Sequence, residues 1–143
     1  MAFIAGKGYK VKIGSTEVGT YLTNVSQPLT KDALETTTMG DASRDYIEGL
    51  RGATISLSGR WDPATGTLDE TLYNAYNNSS LVTFKLNPTG VASGANFTTS
   101  APGYTGSMIV TNYEHNAAFD GVVSFSATLQ VSSTVTRDTS GTY

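Results

Sequence analysis

The stretch Leu50-Arg-Gly-Ala-Thr-Ile-Ser-Leu-Ser-Gly-Arg-Trp-Asp62 decides the fold of this chain. Small or apolar residues alternate in it with polar ones, and a period of two predicts a strand with one buried and one polar face. Trp61, the only tryptophan, ends the buried face and is expected to anchor the core. The buried face comprises Ala53, Ile55, Leu57, Gly59 and Trp61, and the polar face comprises Thr54, Ser56, Ser58 and Arg60.

The polar face of this strand carries small hydroxyls at its central positions and no charge before Arg60. We therefore expect a strand in the middle of its sheet, with a polar face that does more than meet bulk water. A second segment, Gly121 to Val131, repeats the pattern with Val123, Phe125, Ala127, Leu129 and Val131 on one side. Its other side carries Val122, Ser124, Ser126, Thr128 and Gln130.

Length and composition limit the class of protein. The 143 residues fit a single domain, predicted over 1–143, and the low charged fraction of 15% with many Gly, Ser and Thr favours a β-rich fold. A net charge of −3 excludes a generally basic nucleic-acid binder. The absence of cysteine excludes disulfides and thiolate metal sites. No signal peptide and no membrane-spanning stretch is visible, which predicts a soluble protein made in the cytoplasm.

The remaining patterns predict one helix against six or seven antiparallel strands. Thr67-Leu-Asp-Glu70 is a capping box, in which the Thr67 hydroxyl would accept the Glu70 amide, and an apolar stripe follows at helical spacing. Asn77-Asn78 is expected to end the helix in the left-handed conformation. Ser107–His115 and Gly121–Val131 are expected to form a long hairpin. The predicted class is mainly β (α+β): an antiparallel β-sandwich or partly closed barrel with one flanking α-helix.

Three segments lack a decisive pattern. Residues 1–7 and 132–143 are predicted to be flexible arms, and residues 31–50 a long loop, which is typical of functional or disordered segments. Tyr46 and Ile47 favour a loop that something packs on. A loop folded onto its own domain is the alternative.

Motifs of catalysis or cofactor binding are weak. His115 is the single histidine and cannot build a usual zinc site, and the helical positions of Asp69 and Glu70 point apart. Gly6-Lys-Gly8 lacks the strand and helix of a phosphate loop, and no serine lies in a nucleophile elbow. We predict no enzyme, no catalytic residues, no cofactor and no metal site.

The order of features resembles the major tail tube proteins of long-tailed, non-contractile bacteriophages, over roughly residues 8–136. Its elements are a short arm, a hairpin, a loop ending in Tyr46-Ile-Glu-Gly-Leu50, the strand quoted above and one helix. Val82-Thr-Phe-Lys-Leu-Asn-Pro88 and two final strands follow. The Ser132-Ser133 pair departs from the pattern, because a glycine is expected soon after the last strand.

The resemblance implies a structural virion protein of the phage tail. Six copies would close into a ring, and rings would stack around a tape-measure protein into a hollow tube through which DNA is ejected without specific binding. A tail initiator or tip complex and a tail terminator are implied as further partners, and no membrane. The candidate lumen face comprises Thr54, Ser56 and Ser58 together with Ser124, Ser126, Thr128 and Gln130, of which one group or the other would line the channel.

The loop 31–50 is the implied ring-to-ring contact. Its exposed ion pairs are worth only about 0–1 kcal/mol each, so burial of Tyr46 and Ile47 would supply most of the affinity. The candidate contact residues are Asp41, Arg44, Asp45, Tyr46, Ile47 and Glu48, with Arg51 as an ionic partner at the base.

Two alternatives stay open. A carbohydrate-binding or adhesin-type β-sandwich would use Trp61, Tyr104 and Tyr113 as a sugar platform beside the loop 88–104. The tube protein of a contractile tail or of a secretion system would keep the fold and change the assembly.

Overall fold

A computed structural model describes residues 3–143, and Met1 and Ala2 lie outside the described residues. One α-helix, α1, spans Leu68–Asn77, and short 3-10 helices span Gly6–Gly8 and Gly19–Tyr21. The strands are β1 Lys10–Ile13, β2 Thr16–Glu17, β3 Leu22–Ser26, β4 Leu29–Glu35, β5 Tyr46–Arg60, β6 Val82–Asn87, β7 Gly103–Asn116 and β8 Ser124–Asp138.

All eight strands belong to one antiparallel sheet, ordered β2-β1-β6-β7-β8-β5-β3, with β4 also paired to β5. The sheet curls on itself as a half-barrel. The mainly β class with a flanking helix is therefore confirmed, and the partly closed barrel is the better of the two predicted arrangements because a single sheet supplies both walls.

The core lies on one side of this sheet, the side to which β5 and β8 turn their apolar residues. Ile55 and Leu57 are 0% and 1% exposed, and Phe125 and Leu129 of the neighbouring strand are buried with them. Trp61 is only half-buried, at the edge of the core. Alternation thus identified the buried face correctly, since each strand has its opposite face turned outward.

Strand β5 is central only over its second half. There β8 pairs with one edge, from Thr54↔Gln130 to Arg60↔Ser124, and β3 pairs with the other. Its first half pairs with β4. The sheet therefore divides into two branches near Ala53. Strand β5 runs through both of them, which explains its length of 15 residues.

Helix α1 packs on the core through Leu68, Leu72 and Ala75, as its apolar stripe predicts. Its capping differs from the prediction. The Thr67 hydroxyl donates to the Ala64 carbonyl at 2.5 Å instead of accepting the Glu70 amide. The Glu70 carboxylate does reach back, but it accepts the Gly66 amide at 2.5 Å.

The helix also ends differently. Asn78 has an extended backbone, with φ −75° and ψ 135°, so the predicted left-handed end is wrong. The Asn78 side chain instead accepts the Ser80 amide at 3.0 Å, and this local turn leads the chain away.

The predicted loop 31–50 is largely a β-hairpin. Strands β4 and β5 pair from Leu29↔Ala53 to Glu35↔Tyr46, and residues 36–45 form its tip. Both faces of the hairpin are exposed, so no alternation of apolar and polar residues marked the strands.

The C-terminal segment 132–143 is structured as well. Strand β8 continues to Asp138, and Tyr143 is buried edge-on against Phe97, with its hydroxyl donating to Glu17. This small cluster lies apart from the main core. Of the predicted N-terminal arm, Phe3–Ala5 have no regular structure and Gly6–Gly8 form a 3-10 turn.

Candidate functional site

The predicted lumen residues form one continuous surface. In the register of β5 with β8, Thr54 lies opposite Gln130, Ser56 opposite Thr128, and Ser58 opposite Ser126. Directly opposed residues point to the same side of a sheet. The two groups that the sequence presents as separate candidates are therefore halves of one surface, here called the hydroxyl face: Thr54, Ser56, Ser58, Ser124, Ser126, Thr128 and Gln130.

The neighbouring strands widen the hydroxyl face with more neutral polar groups. On β3, Asn24 lies opposite Ser58 and Ser26 opposite Ser56. On β7, Asn112 lies opposite Thr128 and Asn116 opposite Ser124. Charge enters this patch at one end, through Arg60 opposite Ser124 and Glu114 opposite Ser126.

A β-bulge in β7 prevents the sequence pattern from showing which of its residues lie on the side of the hydroxyl face. The register shifts between Val110 and Asn112, so Val110 and Tyr113, three residues apart, both face the core. Period-two alternation read from Met108 onward therefore assigns the wrong side to Glu114 and Asn116. The spacing of three between Val110 and Tyr113 is the one signal that could have revealed the shift.

Side-chain hydrogen bonds to backbone carbonyls tie the strands of this surface together. The Thr111 hydroxyl donates to the Thr128 carbonyl at 3.1 Å, and the Thr23 hydroxyl donates to the Ser58 carbonyl at 3.3 Å. Gln130 Nε2 donates to the Ala53 carbonyl at 3.1 Å. Away from Arg60 and Glu114, the face presents neutral hydroxyls and amides, without the clustered cations that hold a phosphate backbone.

A polar network on the other side of the sheet fixes the helix. Trp61 Nε1 donates to Asp69 at 3.2 Å and to the Tyr113 hydroxyl at 3.1 Å, and that hydroxyl donates to Asp69 at 2.6 Å. Burial and then the hydrogen bond to Asp69 raise the pKa of Tyr113 to about 12. The His115 ring stacks on Trp61 at 5.5 Å, which gives that histidine a packing contact at the strand end.

The predicted contact residues lie along the β4–β5 hairpin and do not form one cluster. Asp41 lies in the tip and accepts the Thr38 amide at 2.6 Å. Arg44 approaches Glu35 only to 3.9 Å. Asp45 supplies its carbonyl to the Thr36 amide at 2.8 Å. Short-range hydrogen bonds within the tip, from side chains as well as backbone, therefore shape it.

The stem of the hairpin carries the other predicted residues. Lys31 Nζ lies 2.8 Å from Glu48, and this hydrogen bond and charge lower the pKa of Glu48. Arg51 lies opposite Lys31 at the base. Tyr46 and Ile47 are more than half exposed, and Leu50 is 81% exposed. A protruding hairpin with exposed apolar residues on both faces is typical of a segment buried in an assembly.

Within residues 3–143 no three His, Asp or Glu side chains gather closely enough to hold a metal ion. Over the same residues no helix is long and apolar enough to cross a bilayer.

Comparison with known families and structures gives a consistent result. The family described as phage tail tube protein matches residues 11–137. No curated protein is similar enough in sequence to count as a relative.

Solved structures with the same fold come from several tubular assemblies. The tail of an empty gene transfer agent particle, computed with C6 symmetry, aligns with a TM-score of 0.76 at 14% identity over 94% of this chain and 98% of that chain. The SPP1 tail tube aligns with a TM-score of 0.75 at 14% identity over 96% and 80%. The sheath/tube terminator of an extracellular contractile injection system aligns at 0.72 and 15% identity over 96% and 98%.

Proposed function

This chain belongs to the phage tail tube protein family and is a structural protein of the phage tail, and we propose that six copies close into a ring whose stacked repeats form the tube. The C6 symmetry of the gene transfer agent tail, which has the same fold, supports the number six. A closed ring also disposes of the exposed sheet edges at β2 and β3 by placing them against neighbouring copies.

The hydroxyl face is the proposed wall of the lumen, and it is the observation that carries the proposal. The helix covers the core side of the sheet, while the opposite side presents a continuous run of hydroxyls and amides across β5 and β8. A channel for DNA needs a surface without clustered cations, because phosphate contacts from lysine and arginine would hold the duplex.

The β4–β5 hairpin is the proposed contact between rings. Its exposed Tyr46, Ile47 and Leu50 supply apolar area that the isolated chain leaves in water. Asp41, Arg44, Asp45, Glu48 and Arg51 would set orientation more than affinity, because exposed ion pairs contribute little.

The remaining partners follow from a tube assembled in this way. A tape-measure protein inside the tube, an initiator or tip complex at one end and a terminator at the other are proposed. We propose no catalytic activity and no specific binding of DNA. The sugar-platform alternative is less favoured, because Trp61 and Tyr113 bond to each other and to Asp69 instead of presenting a joint open surface.

Negative-stain electron microscopy of the concentrated, aged protein, beside light scattering of the fresh sample, tests the proposal. Rings or uniform hollow tubes are expected, with sixfold end-on views. A protein that stays monomeric at every concentration and also binds a glycan array would overturn the tube in favour of a binding module.

A further inference from the structure

The sheet divides into two branches at one end of the subunit, and a cleft lies between them. Within residues 3–143, β8 pairs with β5 only as far as Thr54↔Gln130, after which β5 continues with β4 and β8 with β7. Ser133 has a positive φ of 75° just beyond this point. Gln130 closes the apex by donating to the Ala53 carbonyl.

The cleft is lined by apolar, small polar and basic residues. Its volume is about 340 Å³, and its two basic residues are Arg51 and Lys31, of which Lys31 is bound to Glu48. The lining residues are Leu29, Thr30, Lys31, Arg51, Gly52, Ala53, Ser133, Thr134 and Val135. Leu29 is 58% exposed, so residues 3–143 leave a large apolar side chain in the cleft accessible to solvent.

The turn between β7 and β8, here called the knob, lies at the opposite end of the same strands. The β7–β8 turn, residues 117–123, is closed by the Gly121 amide donating to the Ala118 carbonyl at 3.2 Å. Phe119 and Asp120 are therefore its two central residues. Phe119 is 108% exposed and Val122 is 65% exposed, so the turn presents two apolar side chains beside one carboxylate.

We propose that the β7–β8 turn of one copy inserts into the cleft of a copy in the next ring, with Phe119 against Leu29 and Asp120 against Arg51. The proposal rests on the tube function argued above. Charge complementarity supports it, because within residues 3–143 neither Arg51 nor Asp120 makes a salt bridge, and Arg51 meets Glu48, which is bound to Lys31, only as a more distant charge.

The placement along the strands supports it as well. From Ser124 to Ser133, β8 runs roughly 30 Å at the usual strand rise, so the knob and the cleft lie at opposite ends of the subunit. Stacked rings repeat head to tail, and a head-to-tail contact needs complementary surfaces at opposite ends. Knob and cleft on one chain meet that requirement.

Charge reversal tests the pairing. Arg51→Asp and Asp120→Arg are each expected to raise the concentration at which tubes form at least tenfold, and the double variant is expected to recover to within about threefold of the unmodified protein. The matched control, Arg51→Asp with Glu70→Arg, should stay defective, because Glu70 is exposed on α1 and lies outside both the turn and the hairpin. Circular dichroism at low concentration should show all variants folded.

Cross-linking gives a direct readout, because the chain has no cysteine of its own. In a variant with both Asp120→Cys and Thr134→Cys, oxidation should link copies from successive rings. A denaturing gel should then show a ladder of covalent oligomers that extends beyond six subunits, whereas either single variant should stop at dimers. Single charge variants that assemble normally, or assembled tubes without ladders, would overturn the inserted turn and leave the tube standing. Failure of the unmodified protein to form rings or tubes would overturn both proposals.

Discussion

At the scale of single residues, Gly59 has the tightest backbone surroundings of the glycines in β5. A Cβ built on Gly59 would lie 2.0 Å from the Tyr21 carbonyl oxygen and 2.8 Å from Leu22 Cα, both of them backbone atoms. Backbone cannot yield as a flexible side chain does. The residue is therefore glycine because the backbone of Tyr21 and Leu22, where the 3-10 helix leads into β3, lies directly against it.

Gly59→Ala is accordingly expected to lower the free energy of unfolding by about 1–3 kcal/mol or more, by overpacking. Gly52→Ala in the same strand is the matched control, since its Cβ would meet only the Thr30 hydroxyl at 3.4 Å. It should change stability by no more than about 0.5 kcal/mol. Urea unfolding followed by Trp61 fluorescence measures both, and equal losses would contradict the close approach.

Tyr113 makes stability depend on pH in the alkaline range. Its pKa is raised to about 12 from the ordinary 10.0, so the fold favours the neutral phenol. A group whose pKa is raised by folding stabilises the folded state fully at pH values below its unfolded-state pKa. This contribution is lost as the pH rises through its folded-state pKa. Tyr113→Phe should cost about 1 kcal/mol at neutral pH through the lost hydrogen bonds to Asp69 and Trp61.

The difference in unfolding free energy between the unmodified protein and Tyr113→Phe should therefore shrink between about pH 10 and pH 12. Tyr73→Phe, which removes an exposed hydroxyl, should leave stability unchanged at neutral pH. A difference between the protein and Tyr113→Phe that stays constant across this range would argue against the buried network.

At the scale of secondary-structure elements, the β4–β5 hairpin makes few contacts with the rest of its own subunit. All seven residues of β4 are exposed, and the tip closes through the bond from the Thr36 amide to the Asp45 carbonyl. Replacing residues 38–43 with Asn-Gly, a sequence that favours a tight hairpin turn, should leave the fold intact.

The double variant Tyr46→Ser with Ile47→Ser, made in the chain with its natural hairpin tip, should remain folded, and its rings should fail to stack. Both side chains are more than half exposed in the single subunit, so the expected loss of unfolding free energy is small, while the loss of apolar area at the interface is large. Thermal unfolding and electron microscopy measure the two effects. Tubes of normal length from the double variant would contradict the assignment of the hairpin as the ring-to-ring contact.

The sequence predicts an element well when that element buries one face and exposes the other. The second half of β5, β8 and α1 each bury one face, and alternation or helical spacing identified Ile55, Leu129 and Leu72 as core. Strand β4 and the start of β5 bury neither face. Their apolar residues, such as Leu34 and Ile47, therefore follow no period and read as a loop.

Non-local contacts explain the other differences. The Ser132–Tyr143 segment looks loose because its composition is polar, yet Tyr143 finds Phe97 and Glu17 far away in the chain. The register that joins Ser58 to Ser126 also depends on long-range pairing. Single-strand patterns named the residues of the hydroxyl face, and only the folded sheet shows that they share one surface.

At the scale of the whole molecule, the curled sheet separates two environments. The core and α1 lie on one side, and the hydroxyl face lies on the other. If the hydroxyl face lines the tube, sixfold repetition converts a single neutral patch into a continuous wall. Any charge placed on it is then repeated around the ring and along the tube.

Ser126→Lys with Thr128→Lys is therefore expected to leave tails assembled and to slow DNA ejection. Every subunit would place two cations against the passing phosphates, and such contacts weaken steeply with salt. The defect should consequently shrink as ionic strength rises. Ser79→Lys with Ser80→Lys is the matched control, because these exposed residues follow α1 on the other side of the sheet.

Ejection from purified particles, triggered in vitro and followed by a DNA-binding dye, measures the rate, and electron microscopy of the same particles confirms intact tails. A slow, salt-sensitive release in the first variant with normal release in the control is the outcome that a lumen wall requires. Normal release from intact tails in both variants would place the hydroxyl face outside the lumen. Since the helix side presents exposed Tyr73 and Tyr76, a lysine pair introduced there would then be the next to test.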